Sequence, residues 1–303
     1  MRSGLGSGTS GITVRPITGT FGAELLDADL RDETLLSALP SLLVANRVLI
    51  FRHQDLSAAD QVRVAQTLGT PTPAHPVVPG LPDHPEVLEL DAAQGGRNAR
   101  WHTDVTFVRT PPAASVLVAR EVPVSGGDTL WADLGGAYAR LAPALQELVI
   151  GLRAVHRISP LAYWGEPFDT GMTRDDAAEL LERANGVPPV IHPVVRVHPI
   201  TGERILFVNP GFTSHVVGLS RVESDGILEL LYEHATQPEL VLRHRWEAGD
   251  VVIWDNRATM HYATDDYGDT PRRVHRVTLH GDVPVGPDGF ESEIVDDPLL
   301  AIR

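Results

Sequence analysis

The chain has 303 residues, 43% of them hydrophobic and 21% charged, with 25 basic against 40 acidic side chains and a formal net charge of −15. That length and apolar content allow a sizeable buried core and exclude a chain disordered by composition; the acidic balance argues against a nucleic-acid or anionic-membrane binder. Cysteine is absent and all 25 basic residues are arginine, which excludes disulfides, thiolate nucleophiles, iron–sulfur clusters, Schiff-base lysines and a P-loop lysine. With 13 histidines present, the remaining polar groups direct attention to metal chemistry.

In chain order, residues 1–11 are Gly/Ser-rich and predict a flexible tail. No signal-peptide core is visible and no apolar run approaches the ~20 residues of a membrane span, so a cytoplasmic protein without a membrane partner is expected. Ile12–Ile17 predicts an edge strand. Next comes a helix with Leu35, Leu36, Leu39, Leu42 and Leu43 on one face, kinked by Pro40, and then a buried strand at Val48–Phe51. Ser57 and Asp60 have capping-box spacing for a short helix ending at Gly69.

From Val87 the texture turns to β. Val87–Leu90, Ala114–Ala119 and Thr129–Trp131 predict strands, and Asp133 caps a predicted helix with Leu134, Tyr138, Leu141, Leu145 and Leu148 on its core face. The irregular stretch from 157 onward suggests an excursion from the domain. Thr173–Asp176 and Ser220–Glu223 carry two more helix-start signals. Strands are predicted at Val194–Val197, Arg204–Val208, Leu240–His244, Val251–Trp254 and Val274–Leu279. Short strands with turn signals and a few covering helices predict a β-sandwich or barrel with helical decoration.

His-x-Asp is the first chemical signal, because side chains at i and i+2 of a strand share a face and can reach one metal ion. It occurs three times, at His53/Asp55, His102/Asp104 and His280/Asp282, so at least two copies are ordinary turn or strand-end chemistry. A third ligand for a two-histidine, one-carboxylate face is available at His261, just beyond the apolar strand ending in Trp254; a core or turn histidine is the plainer reading of it. Arg272, Val274 and Arg276 would share one strand face. Two arginines turned into a barrel need anions, and guanidinium groups grip carboxylates and sulfates through paired hydrogen bonds; taken by itself, a solvated strand face with arginine on both sides is the plainer reading. Gly126-Gly127 is a tight turn feeding Thr129 and Trp131, which face the same way. A rival assembly of His53, Asp55, His192 and Arg204 has a permissible chain order.

Together these pieces resemble a known family. Trp101–Phe107 with His102 and Asp104, Gly126–Trp131, Asn209–Thr213, Trp254–His261 and the Arg272/Arg276 pair are similar in order and spacing to the taurine dioxygenase (TauD/TfdA) family of Fe(II)/2-oxoglutarate-dependent oxygenases. Thr129 follows His102 by 27 residues, and Arg272 and Arg276 follow His261 by 11 and 15. The resemblance spans nearly the whole chain. It implies a double-stranded β-helix, or jelly roll, with flanking helices: mainly β with α decoration, a single catalytic domain over 12–303 with a lid-like insertion around 157–190. It implies that His102, Asp104 and His261 bind Fe(II) and carry catalysis. Thr129, Arg272, Arg276 and Trp131 would form the 2-oxoglutarate site, with O2 as second cosubstrate. Oxidative decarboxylation of the keto acid to succinate and carbon dioxide would be coupled to hydroxylation of a substrate carbon.

The resemblance also places His75, Val78, Asn98, Phe212 and Arg276 around a small anionic organic substrate. Val78 stands where the family's taurine enzyme has a tyrosine, which argues for a longer or more apolar substrate than taurine. Arg257–Thr259, Asp265–Tyr267 and His275–Pro284 look closest to the alkylsulfatase branch, so an alkyl sulfate or sulfonate is the expected substrate, ahead of an aryloxyalkanoate or amino acid. Two other classes compete: a zinc hydrolase using the same His/Asp/His face, and a non-catalytic jelly-roll binding protein. Association into a homo-oligomer is expected from the family.

Overall fold

The computed structural model describes residues 12–73, 80–94, 99–158, 182 and 186–295. The expected tail, the helix start at 173–176, most of the expected insertion, and His75, Val78 and Asn98 lie outside the described residues.

Sixteen strands and five helices are described. The strands are β1 (Thr13–Pro16), β2 (Ala23–Leu26), β3 (Val48–Phe51), β4 (Val87–Asp91), β5 (Ala114–Glu121), β6 (Thr129–Asp133), β7 (Arg153–His156) and β8 (Val190–Pro193) in the first half of the chain order. Then come β9 (Val195–Val197), β10 (Arg204–Leu206), β11 (Thr213–Val216), β12 (Val241–His244), β13 (Val251–Asp255), β14 (Thr259–Ala263), β15 (Arg273–Thr278) and β16 (Glu293–Ile294). The helices are α1 (Glu33–Asn46), α2 (Ala58–Leu68), α3 (Leu134–Arg140), α4 (Pro143–Ile150) and α5 (Arg221–Ala235). No helix among the described residues is long and apolar enough to cross a membrane.

A seven-stranded sheet in the order β1-β2-β3-β13-β5-β15-β4 forms one wall. A three-stranded sheet, β12-β6-β14, faces it, and a four-stranded sheet, β11-β7-β8-β16, lies further along. Period-two alternation decides what each face buries. Leu49, Phe51, Val116, Val118, Val251, Ile253 and Val277 point outward onto the leucine face of α1 and onto α2. The alternate residues Val48, Ile50, Leu117, Val252, Trp254 and Val274 point inward and meet Trp131 and Leu242 from the facing sheet. The outer face of that sheet, through Ala132 and Met260, is covered by α3 and α5. This is the jelly roll with external helices expected from the sequence, and its interior is where the polar residues of interest converge.

Several local expectations hold. Helix α1 buries its five predicted leucines and runs through Pro40. Capping boxes at Ser57/Asp60 and Ser220/Glu223 open α2 and α5. The helix predicted after Asp133 is instead two. Leu141 and Ala142 are extended ahead of Pro143, which starts α4, and Leu148 is exposed. The cause is the steric bar to helical geometry in a residue preceding proline. Strands β2, β7, β8, β11 and β14 are short and carry mixed polar sequence, so their alternation is weak as a sequence signal.

Candidate active site

The site is assembled at one edge of the three-stranded sheet. His261 lies on β14 and pairs in register with Trp131 on β6, so both side chains face the interior. On its other side β14 takes one more backbone bridge. The N–H of His102 donates to the carbonyl of His261 at 2.9 Å, and the N–H of His261 donates back to the carbonyl of His102 at 2.7 Å. His102 and Asp104 are therefore not on a continuous strand, as the i, i+2 argument supposed; a single bridge is followed by a turn. The turn is closed by Asn256, whose side chain accepts from the Asp104 N–H at 2.9 Å and donates to the Asp104 carbonyl at 3.1 Å. The next residue, Val105, holds φ at +54°, a costly conformation for a β-branched side chain.

The outcome is a compact triad. Ligating atoms of His102, Asp104 and His261 all lie within 4.8 Å of one another, and all three residues are buried. The Nε2 atoms of His102 and His261 stand 3.8 and 3.9 Å from Oδ1 of Asp104. His102 Nδ1 donates to the Arg100 carbonyl at 2.8 Å, which leaves the Nε2 lone pair facing the triad, as a metal-binding imidazole requires. Burial pushes the pKa of both imidazoles down, that of His261 well below the ordinary histidine value. Burial opposes the charge on Asp104, yet Arg276 and the two histidines outweigh it and bring its pKa down to about 2. Two neutral imidazoles and one carboxylate converge, a donor set that fits a divalent first-row ion with positions left open.

Asp104 is held from two further sides. Its Oδ2 accepts from the Ser115 hydroxyl at 3.0 Å and its Oδ1 from Arg276 Nη1 at 2.6 Å. Arg276 is buried, and its Nε has no partner among the described residues. Arg272, on the same inward face, is also buried. It donates from Nε to the Gly127 carbonyl at 3.1 Å and has no carboxylate partner among the described residues. Burial holds its pKa below the usual guanidinium value. A buried guanidinium without an anion is costly, so this position suits an anionic ligand. Thr129, two residues after Gly127, accepts from Trp246 Nε1 at 2.9 Å, which leaves its own hydroxyl proton available. Trp131 is fully buried between Trp246 and Trp254. Phe212 sets its ring edge-on to His102 at 6.1 Å between centroids. Gly211 makes that approach possible, because a Cβ there would stand 2.7 Å from Cβ of His102.

The other two His-x-Asp pairs are elsewhere and ordinary. His53 is exposed and faces Glu247 at 3.6 Å. His280 is exposed, and Asp282 pairs with the buried Arg196. The rival assembly does not form: His192 is buried against Thr106 and Ser292, whereas Arg204 is exposed beside Tyr138.

The description "Taurine catabolism dioxygenase TauD, TfdA family" matches residues 13–278, nearly the whole jelly roll. The chain belongs to the TauD/TfdA family. An alpha-ketoglutarate-dependent sulfate ester dioxygenase of Pseudomonas putida is 44% identical over 289 residues, covering 92% of each chain. An alkylsulfatase of Acinetobacter baylyi is 38% identical over 296 residues, covering 94% of this chain and 90% of its own. Among solved structures, a taurine dioxygenase from Burkholderia xenovorans superposes with a TM-score of 0.78 at 39% identity, covering 96% of this chain and 99% of that one.

Within this TauD/TfdA chain, three supporting residues went unassigned in the sequence reading: Ser115, Asn256 and Trp246. Ser115 leaves a trace, as a lone hydroxyl in the otherwise apolar run of β5 on the inward register. Asn256 follows the strand that leads to His261, which made it visible as a motif letter but not as the clamp on Asp104. Trp246 leaves none, since a tryptophan in a loop is most simply core.

Proposed function

We propose that this chain is an Fe(II)- and 2-oxoglutarate-dependent dioxygenase that oxidises the sulfate-bearing carbon of an alkyl sulfate. The observation that carries the reading is the buried two-histidine, one-carboxylate triad with the buried guanidinium of Arg272, which has no carboxylate partner among the described residues, on the neighbouring inward face. His102, Asp104 and His261 would hold ferrous iron. Arg272 would bind the distal carboxylate of 2-oxoglutarate, with the Thr129 hydroxyl as second donor. Trp131, locked between two tryptophans, would wall this pocket. Bound iron and 2-oxoglutarate together supply the oxidising chemistry, in which O2 is spent on decarboxylating the keto acid to succinate and carbon dioxide and on hydroxylating a substrate C–H bond.

The chain's own contribution is placement. Ser115 and Asn256 fix Asp104, and the carbonyl of Arg100 fixes the His102 tautomer. Arg276 touches Asp104 through one nitrogen and keeps other donors for the substrate anion. The buried apolar cluster of Val105, Phe107, Ile158 and Phe212 excludes water beside His102 and suits an alkyl chain. Hydroxylation of the carbon bearing the ester oxygen gives a hemiacetal-type product that collapses to an aldehyde and inorganic sulfate. The names of the two relatives, a sulfate ester dioxygenase and an alkylsulfatase, support that choice over a sulfonate, an aryloxy acid or an amino acid.

Anaerobic addition of Fe(II) and 2-oxoglutarate is expected to produce a visible charge-transfer band, and aeration with an alkyl sulfate to release succinate, aldehyde and sulfate in equal amounts. A zinc hydrolase would be indifferent to 2-oxoglutarate. No band and no succinate from folded protein would end the dioxygenase reading, whereas succinate release only with sulfonates or carboxylates would redirect the substrate alone.

Gly127 offers a second check. It holds φ at +68°, and a Cβ there would come within 3.1 Å of Arg272 Cδ. Gly127→Ala is expected to cost about 1–2 kcal/mol of stability from the left-handed backbone. It is also expected to raise the KM for 2-oxoglutarate more than it lowers kcat, because Arg272 must move. An unchanged KM would remove Gly127 from this role.

A further inference from the structure

We propose that His156 and His192, two buried histidines outside the triad, are positioning residues that hold Thr106 and through it keep the Asp104 carboxylate in its metal-ligating place. The inference rests on the reading of His102, Asp104 and His261 as a metal site.

The segment from His102 to Phe107 has little sheet structure to hold it. One backbone bridge at His102 is followed by a turn containing the unfavourable conformation of Val105. Such a conformation persists only where the surroundings over-determine it, and here the surroundings act on Thr106. The Thr106 carbonyl accepts from His192 Nε2 at 2.8 Å. The Thr106 hydroxyl meets His156 Nδ1 at 3.0 Å and accepts from Asn209 Nδ2 at 3.1 Å. Each histidine is braced behind: His156 Nε2 by the Thr213 hydroxyl at 3.2 Å, His192 Nδ1 by the Ser292 hydroxyl at 2.7 Å. The two rings meet edge to face at 4.8 Å, and Phe207 packs on both.

The tautomer of His192 follows from its partners. A carbonyl can only accept, so Nε2 carries the proton. Burial keeps the ring neutral, with a pKa down to about 3, so Nδ1 must accept the proton of the Ser292 hydroxyl. The Pro284 carbonyl, which Ser292 Oγ also approaches at 2.9 Å, keeps the backbone N–H of Ser292 at 3.0 Å. Both ring nitrogens of His192 then have partners, and so do the carbonyl and hydroxyl of Thr106, as a rigid support requires. Thr106 is also the node that joins two parts of the site. Asn209, which grips its hydroxyl, accepts from the Phe212 N–H at 2.9 Å and opens the turn that brings Gly211 and Phe212 against His102. The network thus fastens both ligands of the His-x-Asp pair from outside the triad.

The test uses the full chain, stripped of metal and titrated with Co(II) alone, with affinity and the d–d spectrum as readouts and metal-free melting as a control. His192→Leu removes the donor to the Thr106 carbonyl. It is expected to weaken Co(II) binding by about tenfold, the lower end of what losing a direct hydrogen-bond partner of a ligand costs, because His192 acts through Thr106, and to alter the d–d band. Thr106→Val removes the hydroxyl held by His156 and is expected to act in the same direction. His192→Gln places an amide donor near the lost Nε2 and is expected to recover most of the affinity. Variants that fold and match the wild type in affinity and spectrum overturn the inference, as does a glutamine variant no better than leucine. If His192→Leu fails to fold, Thr106→Val decides alone by the same criterion. A wild-type chain that does not bind Co(II) overturns the metal-site reading itself, whereas a binding wild type matched by its variants overturns only this inference.

Discussion

Asp104→Ala is expected to abolish metal binding and turnover together, and to destabilise the metal-free protein by about 3–5 kcal/mol. The first loss follows from donor count. Two imidazoles without the carboxylate leave a divalent ion short of one ligand and one negative charge. The second follows from Arg276, which is 5% exposed and has Asp104 as its only carboxylate partner among the described residues. Truncating Asp104 leaves that guanidinium buried and unpaired. In metal-free wild type the same pair sets a pH dependence. The Asp104 pKa sits at about 2 in the folded chain and near ~3.9 when unfolded, so the unfolded chain binds the extra proton between those values. Its stabilising contribution is complete above about pH 4 and is lost as the pH falls toward 2. His102→Ala is expected to lose metal and turnover without the Arg276 penalty. His53→Ala is expected to leave metal and turnover intact, because His53 is an exposed turn residue. Asp282→Ala should lower stability through the buried Arg196 but keep iron and activity. Metal content, turnover and urea midpoints of these four proteins check the assignment. Full iron occupancy in Asp104→Ala, or iron loss in His53→Ala, would contradict it.

Arg272→Met is expected to separate stability from function. Without a carboxylate partner among the described residues, the Arg272 guanidinium carries a desolvation cost in the metal-free chain that a thioether of similar length does not. The variant should therefore be as stable as the wild type or more so. Its 2-oxoglutarate requirement should rise by roughly tenfold to a hundredfold, because a buried carboxylate loses a charge-assisted pair worth ~1.5–3 kcal/mol. Fe(II) affinity in the absence of keto acid should be unchanged, since Arg272 touches no triad residue. Denaturant midpoints and 2-oxoglutarate titrations read these effects separately. An unchanged 2-oxoglutarate requirement would remove Arg272 from the keto-acid site.

Much of the fold was legible because long, strongly patterned stretches left one physical option each. The leucine face of α1, the capping boxes of α2 and α5, and the apolar runs of β3, β5 and β13 all stand as read. The elements missed or misread were those whose state depends on neighbours. Strand β14 carries His261 but begins with Thr259 and Met260 beyond a turn, and only its pairing with β6 and the bridge to His102 make it a strand. The break between α3 and α4 was written in Pro143, yet the leucine spacing across it suggested one continuous helix. At the site, strand alternation alone put Arg272 with Arg276 and Thr129 with Trp131 on shared faces; that these faces are the buried ones was implied by the family resemblance and is shown by the structure. Ser115, Asn256, Trp246 and the His156/His192 support act through contacts between residues far apart in the chain, which alternation does not encode.

By itself the sequence determined which chemistry was open to this protein: no thiols, no amines, an excess of acid, and histidines and arginines in a family-like order. It also determined the alternating strands that put one residue in two on the inside. Local pattern gave the three His-x-Asp pairs equal merit and the family resemblance favoured His102 and Asp104, but only the tertiary structure shows that this pair, rather than the other two, meets His261. The reason is that a metal-binding face is a property of distances among three side chains. Those distances come from a backbone bridge, an asparagine clamp and a buried arginine drawn from distant segments, none of which leaves a local mark on the residues it positions.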